Sequence, residues 1–411
     1  MLLIFFLFLV SSVAAFAGTD EISLEEVVRI SLESNPRLAS FYELFLSSQE
    51  RWRFSGSQPN PEVILAAPYE VYPEDSNIFS QPLELFGRPR WRKSVAFSAK
   101  NASEARYMTA LLDLLSDVSL AYVDALKARH LRIIEEENMK LAADILKVAT
   151  KRYEVGDIPQ YQLLEAQVEY SRAQTLFEEA TLKEQNALVY LGRLAGKPLN
   201  PLSSLNELPL AIPDRYPDIA TLKNRAVAER PEVAMARWEQ EEMAAQSSLI
   251  QSELQPDVIL STYRKKLDSE SMQGYRVSLR FPLFDWGSVR GEFKAQEKKK
   301  EAARKTLEDM KLQVAWETEQ AFNEVTNARK RLAILNDTVL TSQERITSMV
   351  QRGYEAGLNN YLEVLEARRS LREIKKNYNE TLADCQKASI RLERASCTSL
   401  FSRKEHSHEK K

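Results

Sequence analysis

The sequence predicts a mainly α-helical chain with a small β part, built from two copies of one helix–strand–strand–long-helix unit. Three observations carry that reading. The 411 residues include only 11 glycines while 28 % are charged, a composition that belongs to long helices. The stretches Arg90 to Val155 and Glu292 to Arg352 run 66 and 61 residues without Gly or Pro. The chain also matches itself in order, with offsets that drift only from 195 to 201. Asn35-Pro36 answers Arg230-Pro231, and Pro61 to Leu65 answers Pro256 to Leu260. Pro82-Leu83, Gly87 and Arg90 answer Pro282-Leu283, Gly287 and Arg290. Tyr153-Glu154-x-Gly156 answers Tyr354-Glu355-x-Gly357, and Leu164 to Ala166 answers Leu365 to Ala367. Short insertions between copies of one fold unit produce such a drift; chance does not preserve the order.

The amino terminus, MLLIFFLFLVSSVAAFA, is the most apolar segment. Its run from Leu2 to Val10 is too short to span a bilayer, which takes about 20 apolar residues. Ala15-Phe16-Ala17 before Gly18 reads as a cleavage site, so residues 1–17 are expected to be a signal peptide and the mature chain to be exported, although no Lys or Arg precedes the apolar run. A retained membrane anchor is the other reading.

Each copy is expected to open with helix (about 22–56 and 217–251), pass through two strands, and continue into a helical hairpin. The first repeat covers 18–193, with strands at about 61–71 and 77–86 and a hairpin over 88–193. A Pro-rich linker, 194–217, excludes a continuous helix. The second repeat covers 218–395, with strands at about 256–266 and 273–283 and a hairpin over 287–395, followed by a charged tail, 396–411. As single helices the two Gly-free stretches would reach roughly 90–100 Å. Leu111, Leu115, Val118 and Tyr122 in one, and Leu332, Leu335, Val339, Ile346 and Met349 in the other, form heptad-like seams.

Segment 275–281 alternates Tyr275, Val277, Leu279 and Phe281 with Arg276, Ser278 and Arg280. That is a strand with one apolar and one polar face. It fits a membrane strand with lipid on one side and a wet lumen, lined by Arg276 and Arg280, on the other. The alternation favours this reading; the other is a soluble hairpin capping a helical bundle, for which the Arg264-Lys265-Lys266 cluster and Pro68, Pro82 and Pro282 speak. Four strands cannot close a spanning barrel, for which about eight are needed. Three chains pooling their strands would supply twelve.

Several function classes drop out. The balance of 56 basic and 59 acidic residues removes the electrostatic case for nucleic acid. No triad, phosphate loop or metal cluster supports an enzyme. Two cysteines and three histidines leave little for a metal site: His406 and His408 sit in the charged tail, and His130 stands alone. Cys385 falls on a stripe with Leu371, Tyr378 and Leu392, so a buried thiol is expected, too far along a helix from Cys397 for a disulfide. Lys298 to Lys300 reads as a solvated face.

With the duplicated plan, the post-strand segments SQPLELFGRPR (80–90) and RFPLFDWGSVRGEF (280–293), and the turn segments RYEVGDIPQYQLLEAQ (152–167) and GYEAGLNNYLEVLEAR (353–368), the chain resembles the TolC-like outer membrane factor family. The likeness leans to its cation and metal efflux branch. The resemblance implies a homotrimer with a twelve-helix periplasmic α-barrel and a 12-stranded transmembrane β-barrel. It implies an exit duct without catalysis or cofactor, working with a periplasmic adaptor protein and an inner-membrane pump. The linker would lie at the equator. Acidic residues beyond the second turn would narrow the periplasmic mouth: Glu363 and Glu366, with Gln162 and Glu165 at the equivalent positions of the first copy. Tyr153, Gly156, Tyr354 and Gly357 would meet the adaptor. Gly156 and Gly357 end helices, Asp157 is placed to cap the next one, and Arg152 or Arg352 would replace the basic lock that neutral Asn359 lacks. The rival function is a soluble periplasmic coiled-coil interaction protein.

Overall fold

The computed structural model describes residues 21–65, 76–198, 204–208, 217–267, 270–280, 286–355 and 361–397. The leader, the Pro-rich stretch 209–216, the second Gly turn and the tail lie outside them. The first repeat supplies β1 (Glu21–Ile22), α1 (Leu24–Ser34), α2 (Pro36–Phe54), β2 (Glu62–Ile64), β3 (Ser76–Leu83), α3 (Arg88–Glu154) and α4 (Gln160–Ala195). After β4 (Ser204–Leu205) the second supplies α5 (Ile219–Glu229), α6 (Pro231–Ser252), β5 (Asp257–Leu267), β6 (Glu270–Arg280), α7 (Ser288–Ile334), α8 (Thr341–Glu355) and α9 (Tyr361–Ser396).

The helical openings are each broken at their matched dipeptide. Asn35 and Arg230 are extended, as a residue before proline prefers, and Pro36 and Pro231 start new helices. Asn35 Oδ1 accepts from the amides of Arg37 at 2.9 Å and Leu38 at 3.1 Å; Arg230 makes no such side-chain cap.

Contacts divide the chain into two compact units, each drawing on both repeats. One contains residues up to Ser34, Asp117–Leu210 and Asn336–Ala383. Here α4 buries Ala166, Ala173 and Ala180, seven residues apart, and α3 buries Ala121, Tyr122, Ala125 and Ala128. The Tyr122 hydroxyl lies 2.9 Å from the Ile22 carbonyl and 2.8 Å from that of Asn206. It thereby ties down the parallel pair β1–β4, and burial pushes its pKa up to about 12. His130, which stands alone in the sequence, contacts Glu207 through Nε2 at 2.7 Å and Asn379 through Nδ1 at 3.3 Å.

The other unit contains Asn35–Ser116, Ala211–Leu335 and the chain from Asp384. Its core joins Ala226, Val233 and Ala236 to Leu307 and Val314. Cys385 is fully buried, burial raises its thiol pKa, and both cysteines are free. The antiparallel sheet of this unit runs β2-β3-β5-β6. Because β3 pairs with β5, the strands of the two repeats join into one sheet. The strand expected over 77–86 ends at Leu83, since Glu84 turns inward to meet Arg88 and Arg92, the latter at 2.6 Å.

The second long helix is not continuous. A π-turn over Leu335–Leu340 separates α7 from α8. Up to that point the buried positions keep heptad spacing: Val314, Thr318, Ala321, Val325, Ala328, Leu332. Beyond it the expected seam residues Ile346 and Met349 are exposed, and Thr347 is buried in their place, its hydroxyl 3.3 Å from the Ala367 carbonyl. A π-turn absorbs one extra residue, so the buried face moves by one position. Deleting Thr338 should therefore restore a regular helix, keep Thr347 against Ala367 and leave the melting midpoint near wild type. Deleting exposed Lys140 from α3, where no bulge absorbs the change, rotates the following residues by about 100° and should lower the midpoint clearly. Equal effects in a thermal melt would refute this account of the π-turn.

Candidate functional site

The first helix turn is set by a Schellman motif. Gly156 has φ +74°, its amide donates to the Tyr153 carbonyl at 2.9 Å, and the Asp157 amide donates to that of Arg152 at 2.8 Å. A residue with a Cβ would be strained there by its backbone rather than by crowding, since nothing lies within 4 Å of the Cβ position. Asp157 does not cap α4 as expected. Its carboxylate accepts from Arg152 Nε at 2.6 Å, and Pro159 occupies the cap position with no side-chain bond. A carboxylate so close to a guanidinium is held by it in preference to the backbone amides. Tyr153 is exposed beside this turn.

Gly357 and Asn359 lie outside the described residues, as does the side chain of Tyr354. On α9, just beyond, Val364, Leu365 and Ala367 are buried while Glu363 and Glu366 are exposed. Both carboxylates thus occupy the helix's outer face. On α4, Glu165 is exposed and Gln162 half-buried, its amide donating to the Tyr161 hydroxyl at 3.2 Å. The structure places these residues on two helices without bringing the carboxylates together in one chain. Arg352 bonds to Ser348 of its own helix, to the carbonyl at 3.2 Å and the hydroxyl at 3.3 Å.

Contacts between the two hairpins come from residues the sequence reading did not select. Arg369 of α9 grips Glu169 of α4 with bonds of 3.2 and 2.6 Å, and Arg372 grips Glu135 of α3 at 2.8 and 2.9 Å. Lys375 reaches Glu137 at 3.1 Å, and Asn379 donates to the Lys127 carbonyl at 2.8 Å. One signal was available. Ala121, Ala128, Glu135 and Ala142 are spaced by seven and all buried. A lone carboxylate on such a stripe needs a cation facing it.

The sheet sorts its residues by face. Residues opposite each other in an antiparallel pair point the same way. Val63, Phe79, Thr262 and Tyr275 therefore share one face, with Leu260 beside Val277 and Val258 beside Leu279. This face is apolar yet open to solvent: Tyr275 is 82 % exposed, Val277 71 % and Leu279 63 %. The opposite face carries Glu62, Ser80, Ser261 and Arg276 in one row and Asp257 beside Arg280 in another, alternating with rows of Pro82, Ile259 and Ser278 and of Ile64, Ile78 and Tyr263. Ser80 and Ser261 hydroxyls are 3.0 Å apart, and Asp257 pairs with Arg88 at 2.9 Å.

No described helix is long and apolar enough to cross a membrane. Among the described residues, no group of three or more His, Cys, Asp or Glu is placed to hold a metal ion. The family model for outer membrane efflux proteins matches residues 77–197 and 222–397. The chain belongs to the outer membrane efflux protein family. It is a transport protein and not an enzyme. This efflux protein is 26 % identical over 322 residues to the cobalt-zinc-cadmium resistance protein CzcC of Cupriavidus metallidurans, covering 76 % of this chain and 74 % of that one. It is 25 % identical over 287 residues to the pyoverdine export outer membrane protein OpmQ of Pseudomonas aeruginosa, covering 67 % and 59 %. Its fold matches the CmeC outer membrane channel of Campylobacter jejuni with a TM-score of 0.77 at 18 % identity, over 90 % of this chain and 85 % of the other.

Proposed function

We propose that this efflux protein is a homotrimeric outer membrane channel, the exit duct of a tripartite efflux or type I secretion system, extending into the periplasm. The observation that carries the reading is the four-stranded sheet, with Val63, Phe79, Tyr275, Val277 and Leu279 exposed on one face and Arg276 and Arg280 on the other. Strands β2 and β6 are its edges, and three antiparallel steps leave them antiparallel to each other. The β6 of one chain can therefore pair with the β2 of the next, and three chains close twelve strands without a free edge. The apolar face then meets lipid, and Arg276 and Arg280 line the lumen. A second stripe supports the same assembly. On α4, Leu164, Val168, Leu182 and Val189 are exposed at heptad positions, opposite the buried alanines, as an interface between copies would require.

In such a trimer, Glu363 and Glu366 form two carboxylate rings at the periplasmic mouth, with Gln162 and Glu165 nearby. Such rings attract cations and repel each other, which favours opening when a partner binds. Tyr153, Gly156, Tyr354 and Gly357 supply the contact for a periplasmic adaptor, and an inner-membrane pump supplies the energy while the duct conducts passively. The linker 194–217 lies at the equator, and Tyr122 and His130 hold its residues 204–207. Similarity to a protein named for cobalt, zinc and cadmium resistance favours a metal cation as cargo.

Light scattering with the detergent contribution subtracted, applied to protein extracted from isolated outer membranes, tests the assembly. A three-chain particle is expected. A monomer recovered from the soluble periplasm would sink the channel reading in favour of an interaction protein with soluble hairpins.

A further inference from the structure

Arg276 is held in place by its neighbours. Its guanidinium carbon lies 5.4 Å from the centroid of the Tyr263 ring, the face of which attracts a cation. The ring is fixed in turn by Gly274, the residue directly opposite Tyr263 on β6. A Cβ on Gly274 would come within 2.4 Å of the ring, so only glycine leaves room for the tyrosine to lie across the bare backbone. The guanidinium stands in the row of Glu62, Ser80 and Ser261, and the ring in the adjoining row of Ile64 and Ile78. Elsewhere at the base of the sheet, charges are answered: Asp257 by Arg88, and Glu84 by Arg88 and Arg92. Among the described residues no carboxylate pairs with Arg276, whose described partner is the neutral ring.

We infer that Arg276 is a charge-selectivity residue: positioned by Gly274 and Tyr263, it makes the β section of the duct favour small anions. The inference rests on the trimeric channel proposed above, in which three such guanidinium groups face one lumen. The permeants enriched there are chloride, phosphate and carboxylate-bearing solutes, including the counter-ions of an exported cation. The sign is opposite to that of Glu363 and Glu366, so the two ends of the duct would filter charge in opposite senses. Fixed charges act over about 30 Å at 0.01 M salt and about 3 Å at 1 M, so the preference is strongest in dilute solution.

The test is the potassium-to-chloride permeability ratio of the full-length mature protein in planar bilayers under a gradient of dilute KCl. Arg276→Gln is expected to raise the ratio about two- to threefold, and Arg276→Lys to keep it near wild type. Tyr263→Leu, which keeps the charge but frees it, should fall between. Glu363→Gln with Glu366→Gln should move the ratio the other way. If Arg276→Gln does not assemble, Arg276→Ser, which matches the serines of its row, replaces it. An unchanged ratio in a neutralised variant that still forms a three-chain particle overturns the role of Arg276 alone. Failure of the wild-type trimer to conduct overturns the channel reading and this inference with it.

Discussion

Replacing Glu232 by alanine should destabilise the protein by about 3–5 kcal/mol at neutral pH, because it strips a buried ion network of its central anion. Glu232 lies in the first turn of α6, where a helix favours negative charge. It bonds to Arg230 at 3.0 Å and to Arg394 near the end of α9. Arg394 also reaches Asp113 on α3 at 2.7 Å, and Arg230 reaches Glu317 on α7 at 2.5 Å. Both arginines and Glu232 are largely buried, so loss of the carboxylate leaves two cations out of water without their shared partner. The pH dependence follows with a definite sign. Burial pulls the Glu232 pKa up, but Arg230 and Arg394 outweigh it and hold the value at about 2. A depressed carboxylate contributes stability above its ordinary range and loses it as the pH falls towards 2. Urea unfolding at pH 7 and at pH 3 checks both statements. The wild type should lose more stability on acidification than Glu232→Gln, and a Glu232→Ala cost below about 0.5 kcal/mol, the scale of an ordinary surface substitution, would rule the network out as a stabilising element.

Leu182→Glu combined with Val189→Glu should abolish the three-chain particle. Both side chains are exposed in the single chain, 58 % and 73 %, so the change leaves the packing of each chain intact. In the proposed trimer the same positions are covered by a neighbour. A charge buried there without a partner costs several kcal/mol, and the assembly would contain six of them. Light scattering of the double variant should give a single-chain mass or aggregate. An unchanged three-chain mass would mean that this stripe faces something other than a second copy.

What was legible in the sequence is what short-range repetition encodes. Alternation from Tyr275 to Arg280 marks a strand because side chains alternate at every residue, and β6 occupies those positions. Gly156 marks a helix end because its backbone takes a positive φ that suits glycine. Pro36 and Pro231 mark helix starts because proline fixes its own φ and restrains its predecessor. The exposed carboxylates Glu363 and Glu366 were legible by the same logic, three residues apart on a helix. Asp157 misled because a cap and an ion pair compete for one carboxylate, and the winner depends on where Arg152 points.

By itself the sequence determined a duplicated, mostly helical chain with four strand segments and a turn at Gly156, each property written within a few turns of backbone. Only the tertiary structure decided which strands pair, joining β3 to β5 across some 175 residues of intervening chain. It alone showed the one-residue shift at Leu335–Leu340 that buries Thr347 instead of Ile346 and Met349. It alone matched Glu135 to Arg372, and Glu232 to Arg230 and Arg394. A helix periodicity says which face is buried but not what lies against it, and one extra residue resets that face without altering composition or propensity. Partners as far apart as Glu135 and Arg372, or Glu232 and Arg394, separated by 237 and 162 residues, are chosen by packing, and no local pattern records the choice.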